Sequence, residues 1–274
     1  SSTPLGSFNT TRNRSETLRT VMDAAVILVT GGAVRIGREI CLRLSECGFT
    51  VAIHYNSSEN EASDLVETIN SRGGNAASFQ GDLFDESMPA KLFGEISREL
   101  GPVSGIVNNA SLFNFDDISD ISKESWDRHM QVNALAPTLL ISELFRTLPT
   151  GIIGSVVNIL DQKISQPNPD YLSYTASRFA MAGLTETLAR GLAPSVRVNA
   201  VAPGHTLPSP EQTIEGFQKA QSQTPLQSGP SAADIADAVV YLISAKSVTG
   251  QIIYADSGER FLSRSRDVVF ETEE

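Results

Sequence analysis

The chain is short of the residues that make covalent or metal staples. Its 274 residues include two cysteines and three histidines. Cys41 and Cys47 lie six apart in one helical run and point to different faces, which disfavours a disulfide between them. No Cys/His group has zinc spacing, so no metal site is expected. This cysteine usage fits a reducing, cytoplasmic setting. Basic charge is also scarce. Against 32 Asp and Glu stand 21 Lys and Arg, a net charge of −11, which argues against a nucleic-acid partner. A helix N-terminus with one or two arginines still binds a phosphate locally in an acidic protein. Long apolar runs are missing too, so no membrane-spanning helix is expected.

What is present reads as one globular domain. At 41% hydrophobic residues the chain is long enough to bury a core without staples. Residues 1–24 read as a flexible leader, rich in Ser, Thr and Arg up to residue 20, with Glu16 as the sole acid. An organelle transit peptide is the alternative reading of that composition, and the lack of an apolar stretch disfavours a secretory signal. The domain is expected over 25–262 and a tail over 263–274.

From Ala25 onward, short apolar or β-branched runs alternate with amphipathic ones. Strands are predicted at 26–30, 50–55, 77–80, 105–108, 154–159, 196–200 and 251–254. Helices are predicted at 36–47, 61–72, 88–100, 123–148, 171–192 and 232–244. Strands alternating with helices mean βαβ units with right-handed crossovers. The fold class is therefore α/β, a single-domain Rossmann-type doubly wound parallel sheet of about seven strands with helices on both faces. The Pro- and Gln-rich stretch 203–230 breaks the alternation and is a candidate lid over the strand ends.

The chemistry starts where the first strand runs into Thr30-Gly31-Gly32-Ala33-Val34-Arg35-Ile36-Gly37. Glycines there let the backbone turn sharply and approach a pyrophosphate, and the following helix offers free N–H groups and a positive dipole end. A tight turn with no ligand is the bland alternative, and the placement between strand and helix opposes it. A site built for NAD carries an acid near the end of the second strand. Here His54, Tyr55, Asn56, Ser57 and Ser58 bring none, while Arg35 supplies a guanidinium for a 2′-phosphate. The pattern favours NADPH.

Taken in order, these motifs resemble those of the short-chain dehydrogenase/reductase family. Thr30-Gly-X-X-X-X-Ile36-Gly37 resembles its cofactor turn, with Arg35 in place of the middle glycine. Gly81-Asp82-Leu83 resembles the adenine-contacting segment, and Asn108-Asn109-Ala110 the motif that closes the fourth strand. Asn133 falls at the helix asparagine. Tyr174-X-X-X-Arg178 stands where the family has Tyr-X-X-X-Lys. Val201-Ala202-Pro203-Gly204 and Val248-Thr249-Gly250 resemble the last two motifs.

Within the family the pattern is closest to the pteridine reductases, including the dihydromonapterin reductases. Besides Arg35 and His54-Tyr55, Asp161 replaces the family's serine thirteen residues before Tyr174, and Phe113 follows Asn109-Ala110-Ser111. Gln166-Pro167 and Tyr171 also fit. The resemblance implies Tyr174 as proton donor, Asp161 as its orienting or relaying partner, and Asn133 as the anchor of a relay water. It implies Arg178 as the cation that helps ionise the phenol. It also implies a pterin-like substrate stacked on Phe113, with Ser111 and Tyr171 beside it, and a homotetramer. Arg178 is larger and planar where the family lysine is compact, which keeps two alternatives open: a carbonyl reductase with another small substrate, or a dinucleotide-binding protein with little catalysis. Arg260, Arg264 and Arg266 in the tail are expected either in solvent or in a neighbouring subunit's pocket.

Overall fold

The computed structural model describes residues 25–209 and 212–272; the leader expected over 1–24 lies outside the described residues. Seven strands form one sheet: β1 (Val26–Val29), β2 (Thr50–Tyr55), β3 (Ala76–Gln80), β4 (Val103–Asn108), β5 (Gly154–Ile159), β6 (Val196–Pro203) and β7 (Ile252–Ala255). Their order is β3-β2-β1-β4-β5-β6-β7, and every neighbouring pair is parallel. The winding reverses between β1 and β4, so the carboxyl ends of these two strands bound a crevice.

Helices cover both faces because the strands are apolar on both sides. In β1, Val26 and Leu28 pack into one core layer and Ile27 and Val29 into the other. The first layer is closed by α3 (Met88–Glu99), α5 (Ala136–Thr147) and α6 (Leu172–Leu192), which bring in Leu92, Leu140 and Met181. The second is closed by α1 (Arg35–Glu46), α2 (Glu59–Ser71) and α8 (Ala232–Ser244), through Ile40, Leu65 and Ile235. No helix among the described residues is long and apolar enough to cross a membrane. Cys41 is buried and Cys47 exposed, both as free thiols.

The structure departs from the sequence reading in three places. The helix expected over 123–148 is two, α4 (Lys123–Met130) and α5, joined by a π-helical turn over Gln131–Leu135. Pro137 at the start of α5 has no N–H to give to the carbonyl four residues back, and the ladder slips by one residue there. The stretch read as a lid contains a helix, α7 (Ile214–Ser222), whose first turn is capped by the Thr213 hydroxyl. The tail is not a solvated run. It ends in α9 (Val268–Thr272), which packs against α7.

Candidate active site

The turn after β1 is built for a close approach. Gly31 has a left-handed φ of 58° and Arg35 one of 53°. A Cβ on Gly37 would lie 2.2 Å from the Gly31 carbonyl oxygen and 2.6 Å from Asn109 Nδ2. The first turn of α1, with Ile36 half-buried in it, has no side-chain cap and no acidic residue, so its N–H groups face outward uncompensated. These residues fit a dinucleotide diphosphate. Exposed Arg35, Asn56 and Ser57 and half-buried Ser58 gather near this mouth, with no acid before Glu59. The Arg35 guanidinium reaches across to the Pro208 carbonyl, 3.2 Å away. Tyr55, half-buried, ends β2 behind it.

Several residues expected at the cofactor also brace the loops around it. Asn109 donates through Nδ2 to the Thr30 and Gly31 carbonyls at 2.9 and 3.0 Å. The Thr30 hydroxyl accepts from the Asn109 and Ala110 N–H groups, each at 3.0 Å. Asp82 is exposed but folds back to accept from the Phe84 N–H at 3.0 Å, and Leu83 is buried. Gly204 donates to the Ala255 carbonyl, and Pro203 is the buried end of β6.

His54, expected at the cofactor, is 1% exposed and held between two backbone groups. Its Nδ1 accepts from the Gly31 N–H at 3.2 Å and its Nε2 donates to the Gly81 carbonyl at 3.0 Å. These two bonds require the neutral ring. Burial pushes its pKa down to about 4, with the Gly81 carbonyl and the Asp82 charge pulling the other way. The unfolded chain takes the proton near the ordinary 6.5, so the contribution is whole above that value. It is lost as pH falls from 6.5 towards 4, a change of about 3 kcal/mol. Urea midpoints of the wild type should therefore fall more steeply between pH 7 and 4.5 than those of His54→Asn. Parallel slopes would remove His54 from the account.

Beyond β5 lies the reactive pair. Tyr174 Oη donates to Asp161 Oδ2 at 2.7 Å, and Asp161 Oδ1 also accepts the Lys163 N–H at 2.8 Å. Burial first, then the Asp161 charge, raises the Tyr174 pKa well above the ordinary value; Arg178 offsets only part of this. Arg178 thus acts in the expected direction, pulling the phenol pKa down, but burial and Asp161 outweigh it.

The Arg178 guanidinium carbon sits 4.9 Å from the Tyr174 ring centre. Its two terminal nitrogens donate to the Ile159 carbonyl at 3.1 Å and to the Ser111 hydroxyl at 2.5 Å. The planar fork thus ties the end of β5 to the loop after β4, a reach a single ammonium lacks.

Asn133, in the π-helical turn, clamps both backbone groups of Leu112, accepting from N–H at 2.8 Å and donating to C=O at 2.9 Å. It also donates to Ser177 Oγ at 3.0 Å. Asn133 thus positions the loop that carries Phe113.

Phe113 stacks on Tyr171 with centroids 4.2 Å apart and 17° between planes, and Tyr174 meets it edge-on at 4.7 Å. Tyr171 is buried, at a left-handed φ of 56°, and covers one face of Phe113. The other face of Phe113 is left to the pocket, and Tyr171 supports it from behind. Strain of this kind is held by surrounding contacts and clusters at ligand sites.

Further groups pack around the site, of which Lys163 carries no signal in the sequence. Asp116 accepts the Ser173 N–H at 2.9 Å and the Ser125 hydroxyl at 2.6 Å, and so fixes the start of α6. Buried Lys163 pairs with Asp267 at 3.0 Å and donates to the Asp170 carbonyl at 2.7 Å. Arg266 grips Asp170 through Nε at 3.0 and 2.9 Å. Arg264 pairs with Glu271 at 2.9 Å, and Arg260 stacks on Tyr254. Within one chain the tail arginines are thus each engaged. The tail walls a cavity of about 90 Å³, lined by Phe113, Asp161, His205, Glu259, Arg264 and Val268 among others.

The pattern of the short chain dehydrogenase family matches residues 25–216. FolM alternative dihydrofolate reductase 1 from Brucella suis, solved in complex with NADP, is 41% identical with a TM-score of 0.86, covering 90% of this chain and 99% of that one. A short-chain type dehydrogenase/reductase of Picea abies is 30% identical over 85% of this chain and 92% of its own length. The 3-oxoacyl-[acyl-carrier-protein] reductase FabG of Staphylococcus epidermidis is 30% identical over 84% of this chain and 97% of its own length.

Proposed function

The chain belongs to the short-chain dehydrogenase family, and we propose that it is an NADPH-dependent reductase of a pterin-like heterocycle. The observation that carries this reading is the Tyr174–Asp161 hydrogen bond of 2.7 Å beside an aromatic ring, Phe113, with one free face. The turn of Gly31, Arg35, Ile36 and Gly37 and the loop of Pro203 and Gly204 hold NADP(H), which supplies the hydride. Arg35 and the neutral side chains after Tyr55 favour the 2′-phosphate form. The NADP bound to the FolM structure supports the same cofactor.

The protein's part is to orient the ring and move one proton. Phe113 offers an apolar plane to a flat ring. Tyr174, kept protonated by burial and by Asp161, delivers its proton to the ring nitrogen next to the carbon that takes the hydride. Asp161 holds the phenol's direction and lines the cavity, so it is placed to return a proton to Tyr174 from that side. Arg178 limits the charge that would build up on the pair and locks Ser111. Trp126, Leu135, Phe145 and Phe179, exposed apolar side chains on α4 to α6 and the turn between them, suit the homotetramer that belongs to this proposal.

The FabG likeness favours carbonyl reduction as the second reading. The test is loss of nicotinamide absorbance with dihydrobiopterin, dihydromonapterin, dihydrofolate and a panel of small ketones, with NADPH and NADH in parallel. Turnover of a dihydropterin with NADPH preferred is the expected result. Turnover of ketones alone would replace it with the second reading.

A further inference from the structure

The cavity has a second carboxyl that the reaction above does not use. Glu259 begins the short 3₁₀ turn Glu259–Phe261 after β7 and is 3% exposed, yet its side chain lines the cavity together with Asp161 and Phe113. Its Oε2 accepts the His205 N–H at 2.7 Å, which fastens the loop after β6. Its Oε1 takes no hydrogen bond from the described residues. An acceptor left open at a cavity wall, on a side chain otherwise withdrawn from solvent, is placed to take a donor from a ligand. Arg264, on the same wall, carries a buried Nε–H with no partner. The wall therefore offers an acceptor to one edge of whatever lies on Phe113.

We propose that Glu259 is the specificity-determining residue of this pocket, its open carboxylate oxygen accepting hydrogen bonds from the amino and ring N–H donors of the heterocycle. This rests on the heterocycle reading given above and adds the edge that is recognised. A carbonyl substrate without such donors leaves Glu259 buried and unanswered, and the pocket discriminates against it for that reason. Burial raises the Glu259 pKa to about 7 against the pull of the His205 N–H; the Asp161 charge adds to the rise, Arg264 opposes it, and Asp256 on the same turn adds again. Donors are accepted best by the carboxylate form, so affinity for an amino heterocycle should climb as pH rises through about 7.

The experiment measures binding, so that it does not depend on turnover. The NADP-loaded protein is titrated with 2-amino-4-oxopteridine and with the analogue that lacks only the 2-amino group. Wild type should favour the amino compound by about tenfold or more, the worth of a hydrogen bond to a charged acceptor. Glu259→Gln keeps an oxygen for the His205 N–H but loses the charge. It should bring the ratio to within about twofold, with NADP affinity and melting temperature preserved and the pH dependence between 6 and 7.5 flattened. Glu259→Asp, which restores the charge on a shorter stem, should recover part of the preference. A purely structural Glu259 would leave the ratio unmoved by glutamine. An equal ratio in wild type and Glu259→Gln overturns the inference, and so does a wild type that binds both probes alike or neither. If Glu259→Gln does not fold, a wild-type preference that does not grow with pH is the overturning result. Dihydropterin turnover with an unchanged ratio would sink Glu259 alone, whereas absence of turnover would sink the heterocycle reading.

Discussion

Tyr174→Phe should lower kcat for dihydropterin reduction by about a thousandfold, within the range carried by a positioned proton donor. The substitution removes one oxygen from a buried ring and leaves its edge contact with Phe113. Asp161 keeps the Lys163 N–H, so the turn after β5 holds its shape. NADPH affinity and KM should therefore stay within about twofold of wild type, the signature of an interaction made in the transition state. Steady-state rates paired with NADPH fluorescence titration measure both. A Phe variant that retained a tenth of the rate would move the proton source from Tyr174 to Asp161 or solvent. The raised phenol pKa also sets a direction with pH. Activity should fall on the alkaline side only beyond the ordinary tyrosine range, since burial and Asp161 hold the proton on.

Gly37→Ala should abolish the stabilisation that NADPH gives the protein. The new methyl would meet the Gly31 carbonyl at 2.2 Å and Asn109 Nδ2 at 2.6 Å, both far inside contact distance. Neither neighbour is a loose side-chain end. The carbonyl belongs to the turn, and the amide holds that turn through two bonds. Relief requires the turn to move away from the start of α1, which separates the two parts of the phosphate cradle. Overpacking of this kind costs about 1–3 kcal/mol of stability, a fall of about 2–8 °C in melting temperature for a chain this long. The larger effect is on binding. Saturating NADPH raises the wild-type melting temperature through its preference for the folded state, and the variant should show no such rise. A variant that melts lower but still gains the full NADPH shift would separate the turn from the cofactor.

Much of the fold was readable along the chain because its rules are local. Val26 to Val29 are apolar on both faces, which marks a strand covered on both sides. The break at Gln131–Leu135 was not readable, because Pro137 sits inside an otherwise unbroken amphipathic pattern. Nor was α9, whose five residues are too few for a period and are held from outside by Arg264 on Glu271, Lys163 on Asp267 and Tyr171 on Phe270.

The chemistry divided in the same way. Spacing along one helix put Tyr174 and Arg178 on one face, and strand–turn–helix order marked the turn at Gly31 to Gly37 as a phosphate site. These follow from the period of the backbone and from what glycine permits, and the sequence alone determined them. Only the tertiary structure decided which way each ionisable group leans. His54 looked like a cofactor contact and is a neutral brace, because burial leaves it two backbone partners and no solvent. Arg178 pulls the Tyr174 pKa down, as its place on the helix implied, yet desolvation and Asp161 outweigh it and leave the phenol's pKa raised. Glu259 lies far along the chain from Tyr174, and Lys163, though near it, carries no motif; they become part of the pocket only when β7 and the tail close over β5. Charge and protonation depend on distance and solvent through space, and those are set when the chain folds.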